Sequence, residues 1–440
     1  MGNNESIIKD YINIGICYCL EENKSENLLG FFDIKKKNLP EELKNSKTYN
    51  FNKSMINENS ILYSDDLVNS IENISFEITD YFPKIFHFLR KLDNIDEDIL
   101  LRSFKPMLNK ITFEKSEGKS KELFIKTYDN LFMLKTINNN DREFIQNNFF
   151  EKYSYYLSDH NNSLLCKLLG LYTIKISYFL STHEINFVIM KNLIGLFNPE
   201  NIFVKYDLKG SIHNRKMNLE YETLQKEVLK DINFEEKEGK CIMVYNNDSE
   251  KIINIVKDDA NFLSECEIID YSLLVVKICI TDEENKCIYG NDDSYDYYSQ
   301  FEDYLNNKLE NNNFTSNNID ELLCLINNEF NFIKKEHKKQ KITNDDLSFN
   351  KSYLKFFKKN IFKSLEKNKI YVIGIIDYFQ NFNYYKSFES LYKGFFYGKA
   401  NISVIPPKDY KERFLNYISH CFNFKNNLNQ YLKLRNEKKE

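Results

Sequence analysis

A chain of 440 residues with 42 % hydrophobic residues has length for two or three domains and enough apolar mass for a sizeable core. A formal net charge of −5 argues against a nucleic-acid protein, which carries a basic excess, and 12 Gly and 6 Pro are too few for collagen-like or Pro-rich disorder. Nine scattered Cys without a Cys-x-x-Cys pair, and six His without metal-ligand spacing, speak against a disulfide framework or zinc ribbon and fit a reducing cytosol. No apolar run approaches the ~20 residues of a membrane span, and no secretory signal is read at the start.

In chain order, the opening Met1-Gly-Asn-Asn-Glu-Ser6 fits the N-myristoylation pattern at Gly2, with chance occurrence of so short a pattern given equal weight. Residues 6–20 predict a helix running into an apolar segment, and 21–72 mixed loop and short strands. A strand at 74–78 meets Asp80, expected as the N-cap of a helix over 81–92 with Pro83 in its first turn. Residues 122–137 read as a hairpin around Tyr-Asp-Asn, preceded by Ser116-Glu-Gly-Lys-Ser-Lys121, a candidate phosphate-covering loop. Residues 141–157 have helical period, 186–193 form an apolar strand ending in a hinge, and 262–280 hold a helix end and a strong strand. Asn-rich and charged residues 282–365 read as a long, partly disordered insert. A strand at 370–378, an aromatic and Lys-rich loop over 379–407 and a helix from about 409 to 422 complete the chain.

Three charged clusters sit in apolar, strand-like sequence: Lys205-Tyr-Asp-Leu-Lys-Gly-Ser211, Ile268-Ile-Asp-Tyr-Ser-Leu-Leu274 and Gly374-Ile-Ile-Asp-Tyr378. A strand lysine, Lys135, lies upstream in Leu131-Phe-Met-Leu-Lys-Thr-Ile137. Charge inside an apolar strand is costly unless it is paired or binds a ligand. A strand lysine with two strand-end aspartates supplies what phosphoryl transfer needs: a cation for nucleotide phosphates, a metal-holding carboxylate and a base.

Together these segments resemble the phosphatidylinositol phosphate kinase family over roughly residues 10–425, the insert excepted. The ordered signatures Tyr-Asp-Leu-Lys-Gly-Ser, Asp-Tyr-Ser-Leu-Leu and Gly-Ile-Ile-Asp carry the likeness most sharply. The resemblance implies an α+β, two-lobed fold distantly related to protein kinases, with an antiparallel-sheet N-lobe and a smaller α/β C-lobe. It sets the N-lobe at 11–193 and the C-lobe at 194–425 including the insert, with the candidate myristoylation segment at 1–10 before them and a polar tail at 426–440 after. It also implies ATP and Mg²⁺ as cofactors, a phosphoinositide in a cytosolic membrane leaflet as partner, peripheral membrane contact, no nucleic acid, and a homodimer as an admissible assembly.

Residue by residue, the resemblance gives Lys135 the ATP phosphates, against the alternative of an ordinary edge-strand lysine. Glu143 is expected to pair with Lys135, with Glu151 as its rival. Asp377 matches the metal-holding aspartate and Asp270 the aspartate beside the attacking inositol hydroxyl, against the plain reading of turn-capping residues. Lys209 is assigned phosphate, and Arg215 and Lys216 a basic patch for the headgroup, against a solvated basic loop; Asp207 is read as structural. Met190 and Asn192 fall in the adenine-contacting hinge. In the nucleotide loop, Gly118, Lys119 and Ser120 match, but Lys121 replaces the family's second Gly, which stiffens the turn.

The loop after Asp377 resembles that of the 5-kinases, and Glu389 falls where they carry Glu. Lys386-Ser387 stands where the 4-phosphate 5-kinases have two lysines, which removes one cation from membrane docking. The repeated Ile-Ile-Asp-Tyr and residues 404–414 look like the 3-phosphate 5-kinases, whereas the N-lobe and the hinge look like the 4-phosphate enzymes. The expected activity is therefore 5-phosphorylation of phosphatidylinositol 4-phosphate. The 3-phosphate lipid, a catalytically weak phosphoinositide-binding scaffold and a kinase for soluble inositol phosphates are the alternatives.

Overall fold

The computed structural model describes residues 2–25, 45–52, 75–104, 113–115, 123–178, 181–217, 227–244, 246–289, 353–366, 368–382 and 404–423. They form two compact units. One comprises Met1–Leu196 with Glu265–Ile268 and Phe379–Asn381; the other comprises Phe197–Ser264, Ile269–Tyr378 and Phe382–Glu440.

The first unit opens with helix α1 (Gly2–Ser25). From Tyr11 to Leu20 it is buried on nearly every side, which marks a core helix and not a half-solvated one. Strands β1 (Lys47–Phe51) and β2 (Ser75–Tyr81) follow, then helices α2 (Pro83–Leu92) and α3 (Glu97–Phe104). Asp80 is not the expected N-cap. Period-two alternation continues past residue 78, so Asp80 shares the buried face of β2 with Phe76 and Ile78 and accepts a hydrogen bond from Asn23 Nδ2 at 3.0 Å. The cap position falls to Phe82, at φ 54°, and Pro83 occupies the first turn, where its missing N–H costs nothing.

Strands β3 (Phe113–Lys115), β4 (Leu123–Lys126) and β5 (Phe132–Ile137) lead into α4 (Asn139–Phe144), a π-turn at Ile145–Phe149 and α5 (Phe150–Asp159). The long strands β6 (Leu168–Tyr178) and β7 (Ser181–Lys191) complete a seven-stranded sheet of order β1-β2-β6-β7-β5-β4-β3. Every pairing in it is antiparallel. The predicted hairpin is β4–β5, closed by Asn130 N–H donating to Thr127 O and by Thr127 Oγ1 bonding Asp129.

The second unit is built on β8 (Ile202–Leu208), β9 (Val228–Lys230), α6 (Asp231–Glu238), α7 (Asn246–Glu265) and β10 (Ser272–Cys279). Then come α8 (Asp282–Tyr289), α9 (Leu354–Phe357), β11 (Ile361–Lys363), β12 (Lys369–Ile376) and α10 (Pro407–Cys421). Its five-stranded sheet has order β11-β12-β10-β8-β9, antiparallel except for the parallel pair β8–β9. The stretch 282–365, expected as a partly disordered insert, contains folded segments at both ends. Both ends are folded, with Ile288, Leu354, Phe356, Phe357, Ile361 and Phe362 buried, because their apolar residues complete this unit's core; residues 290–352 lie outside the described residues. Among the described residues no helix is long and apolar enough to cross a membrane.

Candidate active site

The register of three strands gathers the expected polar residues. Strand β10 pairs antiparallel with β8 (Leu273 opposite Leu208) and with β12 (Ser272 opposite Ile376). Strands β8 and β12 therefore end where β10 begins. Lys209 follows β8, Asp377 follows β12 and Asp270 precedes β10, so all three stand at one end of the second unit's sheet. Lys209 Nζ lies 2.9 Å from Asp270 Oδ1, with side chains 12 % and 25 % exposed, which makes a half-sheltered ion pair; Asp377 is exposed. Both aspartates hold left-handed backbone, φ 64° at Asp270 and 59° at Asp377, and Gly210 turns the chain at φ 67°. Such conformations cluster where a fold aims functional groups.

Arg215 corrects the expectation of a headgroup cation. It is 7 % exposed. Its Nε donates to Asp231 Oδ2 at 2.6 Å, and Nη2 lies 3.2 Å from Asp207 Oδ1 and donates to the Asp207 carbonyl. Burial alone would raise the Asp207 carboxyl, but Arg215 and Lys209 beside it hold it below the usual range. Breaking such a buried pair costs about 3–5 kcal/mol, so Arg215 is committed to the loop's structure. Lys216 is exposed and paired with Glu236 at 2.5 Å.

In the first unit, Lys135 is not on an edge, since β5 lies between β4 and β7. It is buried, with its ammonium 5.5 Å from the Phe124 ring and 5.4 Å from that of Phe379. Glu143 does not pair with it. The short helix α4 turns Glu143 outward, 58 % exposed, against Arg142 at 3.1 Å. Glu151, the rival, is also exposed and accepts from Tyr155 Oη at 3.5 Å. Met190 is buried on β7 opposite Met133. Asn192 is buried against the hairpin turn. Its N–H donates to Leu131 O at 3.0 Å and its Nδ2 to Asn130 O at 2.7 Å, because the β5–β7 pairing runs on to Lys191 and draws the next residue onto the hairpin turn.

The family model described as Phosphatidylinositol-4-phosphate 5-Kinase matches residues 106–421. The chain belongs to that family. A relative in Dictyostelium discoideum, named a probable phosphatidylinositol phosphate kinase, is 27 % identical over 80 % of this chain and 48 % of its own. The Schizosaccharomyces pombe phosphatidylinositol 4-phosphate 5-kinase its3 is 26 % identical over 78 % of this chain and 46 % of its own. The human phosphatidylinositol 5-phosphate 4-kinase type-2 gamma is 30 % identical over 46 % of this chain and 45 % of its own. The chain thus spans about half the length of the first two relatives, and its match to the third covers about half of each protein.

Family membership leaves several expected site residues without a structural account. Gly118, Lys119, Ser120 and Lys121 of the nucleotide loop, and Lys386 and Glu389 after Asp377, lie outside the described residues. Gly2 is the first residue of α1. Residues not singled out in the sequence also meet here. Lys230 and Asp231 stand at the β9–α6 junction; burial, with Arg215 and Lys209 close by, pushes the Lys230 ammonium down. Tyr410 of α10 donates to the Tyr271 carbonyl, beside Asp270. The local pattern Val228-Leu-Lys-Asp-Ile-Asn-Phe234, acid and base at a strand–helix junction, is the signal that marks the first two.

Proposed function

We propose that the protein transfers the γ-phosphoryl group of ATP to the inositol 5-hydroxyl of phosphatidylinositol 4-phosphate, giving the 4,5-bisphosphate. The observation that carries this is the gathering of Lys209, Asp270 and Asp377 at one sheet end, within a chain of this family. In the reaction the 5-oxygen attacks phosphorus, the bond to the β-phosphate oxygen breaks, and ADP leaves. Asp270 orients the hydroxyl and takes its proton. Lys209, already held against Asp270, meets the phosphate that approaches it, and Lys135 binds ATP phosphates. Asp377 fits a metal role, since an exposed carboxylate offers the hard oxygen that Mg²⁺ prefers, and the ion bound there would offset phosphate charge. The lipid places the protein on a cytosolic membrane surface as a peripheral enzyme.

The 5-position is supported by the likeness of residues 381–389 to the 5-kinases and by the fission yeast relative's name. The human 4-kinase relative supplies the contrary reading, 4-phosphorylation of the 5-phosphate lipid. The deciding assay gives labelled ATP and vesicles containing each monophosphorylated phosphatidylinositol separately, and resolves the product isomers. Label in the 4,5-bisphosphate from the 4-phosphate lipid is expected, falling to background in Asp377→Asn. Product from the 5-phosphate lipid would assign a 4-kinase, and the 3,5-bisphosphate a 3-phosphate 5-kinase. A folded protein that labels no lipid would leave a phosphoinositide-binding scaffold, or, if soluble inositol phosphates take the label without a bilayer, a kinase for those.

A further inference from the structure

The loop that leaves β8 carries Lys209, and its backbone must be held for that side chain to point anywhere in particular. Strand pairing does not hold it, because the register with β10 stops at Leu208. Two successive backbone amides, Lys209 N–H and Gly210 N–H, instead converge on one acceptor, Asp231 Oδ1, at 2.9 and 2.7 Å. Consecutive amides aimed at one anionic oxygen form a nest, a device usually seen around bound anions. Here the anion belongs to the protein. Asp231 is 1 % exposed, and its second oxygen accepts Arg215 Nε at 2.6 Å. Arg215 in turn grips the Asp207 carboxylate and carbonyl, so one carboxylate ties both arms of the 207–215 segment to the start of α6.

From this geometry we infer that Asp231 is a positioning residue for phosphoryl transfer: it sets the backbone of Lys209 and Gly210 and thereby the Lys209–Asp270 pair. It acts through Lys209, since its own oxygens are filled by three N–H donors. The inference rests on the kinase reading above, and a misplacement of about 1 Å at a reacting group costs on the order of a hundredfold in rate.

The test uses the full chain, the 4-phosphate vesicle assay and melting temperatures. Asp231→Ala is expected to lower kcat roughly a hundredfold. Asp231→Asn keeps an oxygen for the two amides but removes the charge that faces Arg215; it is expected to lower the melting temperature as well, and to lose about tenfold in kcat when assayed well below its own melting transition. Glu238→Gln is the control for a partly buried acid with a structural task, because Glu238 binds Lys277 at 2.6 Å and Tyr206 Oη at 3.0 Å in the same unit. It should lower the melting temperature and leave kcat within about twofold. Wild-type kcat retained in either folded Asp231 variant overturns the inference. So does a loss in kcat no larger than the Glu238 control shows for a comparable drop in melting temperature. Should Asp231→Ala fail to fold, Asp231→Asn decides alone. A wild-type protein that labels no lipid removes the kinase reading itself, and this inference with it, which a normal wild type beside unaffected variants does not.

Discussion

Left-handed backbone costs an L-residue about 1–2 kcal/mol, least for Asp and Asn, whose short polar side chains bond locally. Asp270 and Asp377 accept that cost at φ 64° and 59°, which turns the chain away from the sheet as the carboxylate reaches its end. Asn tolerates the same conformation, so Asp377→Asn tests chemistry without disturbing the turn. Gly210 has no such substitute. Its φ is +67°, and a Cβ there would lie 2.8 Å from Tyr417 Cβ, an atom fixed to the α10 backbone. Gly210→Ala is therefore expected to destabilise the protein by about 1–3 kcal/mol, and to lower turnover beyond that because Lys209 is its neighbour. Urea melts alongside the vesicle assay check both; unchanged stability would mean that α10 yields at Tyr417. The sequence pattern singles out Lys209, Asp270 and Asp377, which the fold brings to one sheet end, but not their partners. Arg215 looks like a surface cation in sequence and is a buried tie in the fold.

At the scale of elements, the packing of α1 on β2 contains a titrating group. Asp80 on β2 is met by Asn23 and Cys19 of α1, Lys47 of β1, Arg90 of α2, Glu97 of α3 and Tyr172 of β6. Burial pushes its carboxyl up from 3.8 to about 7, against the Asn23 hydrogen bond and the Arg90 and Lys47 charges. In the unfolded chain it titrates near 3.9. Between these values only the folded state keeps the proton, so this contribution to stability is complete below about pH 4 and is lost as pH rises through about 7. Three pKa units correspond to on the order of 4 kcal/mol. Asp80→Asn should match the wild type near pH 4 and exceed it at pH 8. Parallel urea titrations at the two values measure this, and an equal gap at both would remove Asp80 as the source. Glu97 works in the opposite sense and at lower pH. Burial would raise its carboxyl, but His87 and Arg90 hold it down at about 2, so its contribution is present above about pH 4 and lost as pH falls toward 2. The β4–β5 hairpin, β12 and α10 were legible because alternation and helical period are local, whereas α3, β6, β9 and α6 were not read from the sequence. Asp80 escaped because a capping residue and a buried strand acid read alike until α1 is packed against them.

For the molecule as a whole, α1 is more than a leader. Tyr11, Ile14, Ile16, Cys19 and Leu20 are each 0 % exposed. At about 1.5–3 kcal/mol per buried side chain, these five contribute on the order of 10 kcal/mol, comparable with the ~5–15 kcal/mol stability of a domain. Deleting residues 1–25 is expected to unfold the first unit, seen as lost amide-exchange protection in β2 and β6; native protection there would show α1 to be dispensable. Three ordered motifs were enough to carry the resemblance to the family and with it the α+β class, because each motif is a property of neighbouring residues. Which groups close on one another was decided only by the tertiary structure. Asp231 reaches the amides of Lys209 and Gly210 across 22 and 21 residues, Asn23 reaches Asp80 across 57, and Asn192 reaches Asn130 across 62. No local pattern encodes such pairings, since they are selected by the need to satisfy buried polar groups once strands and helices have packed.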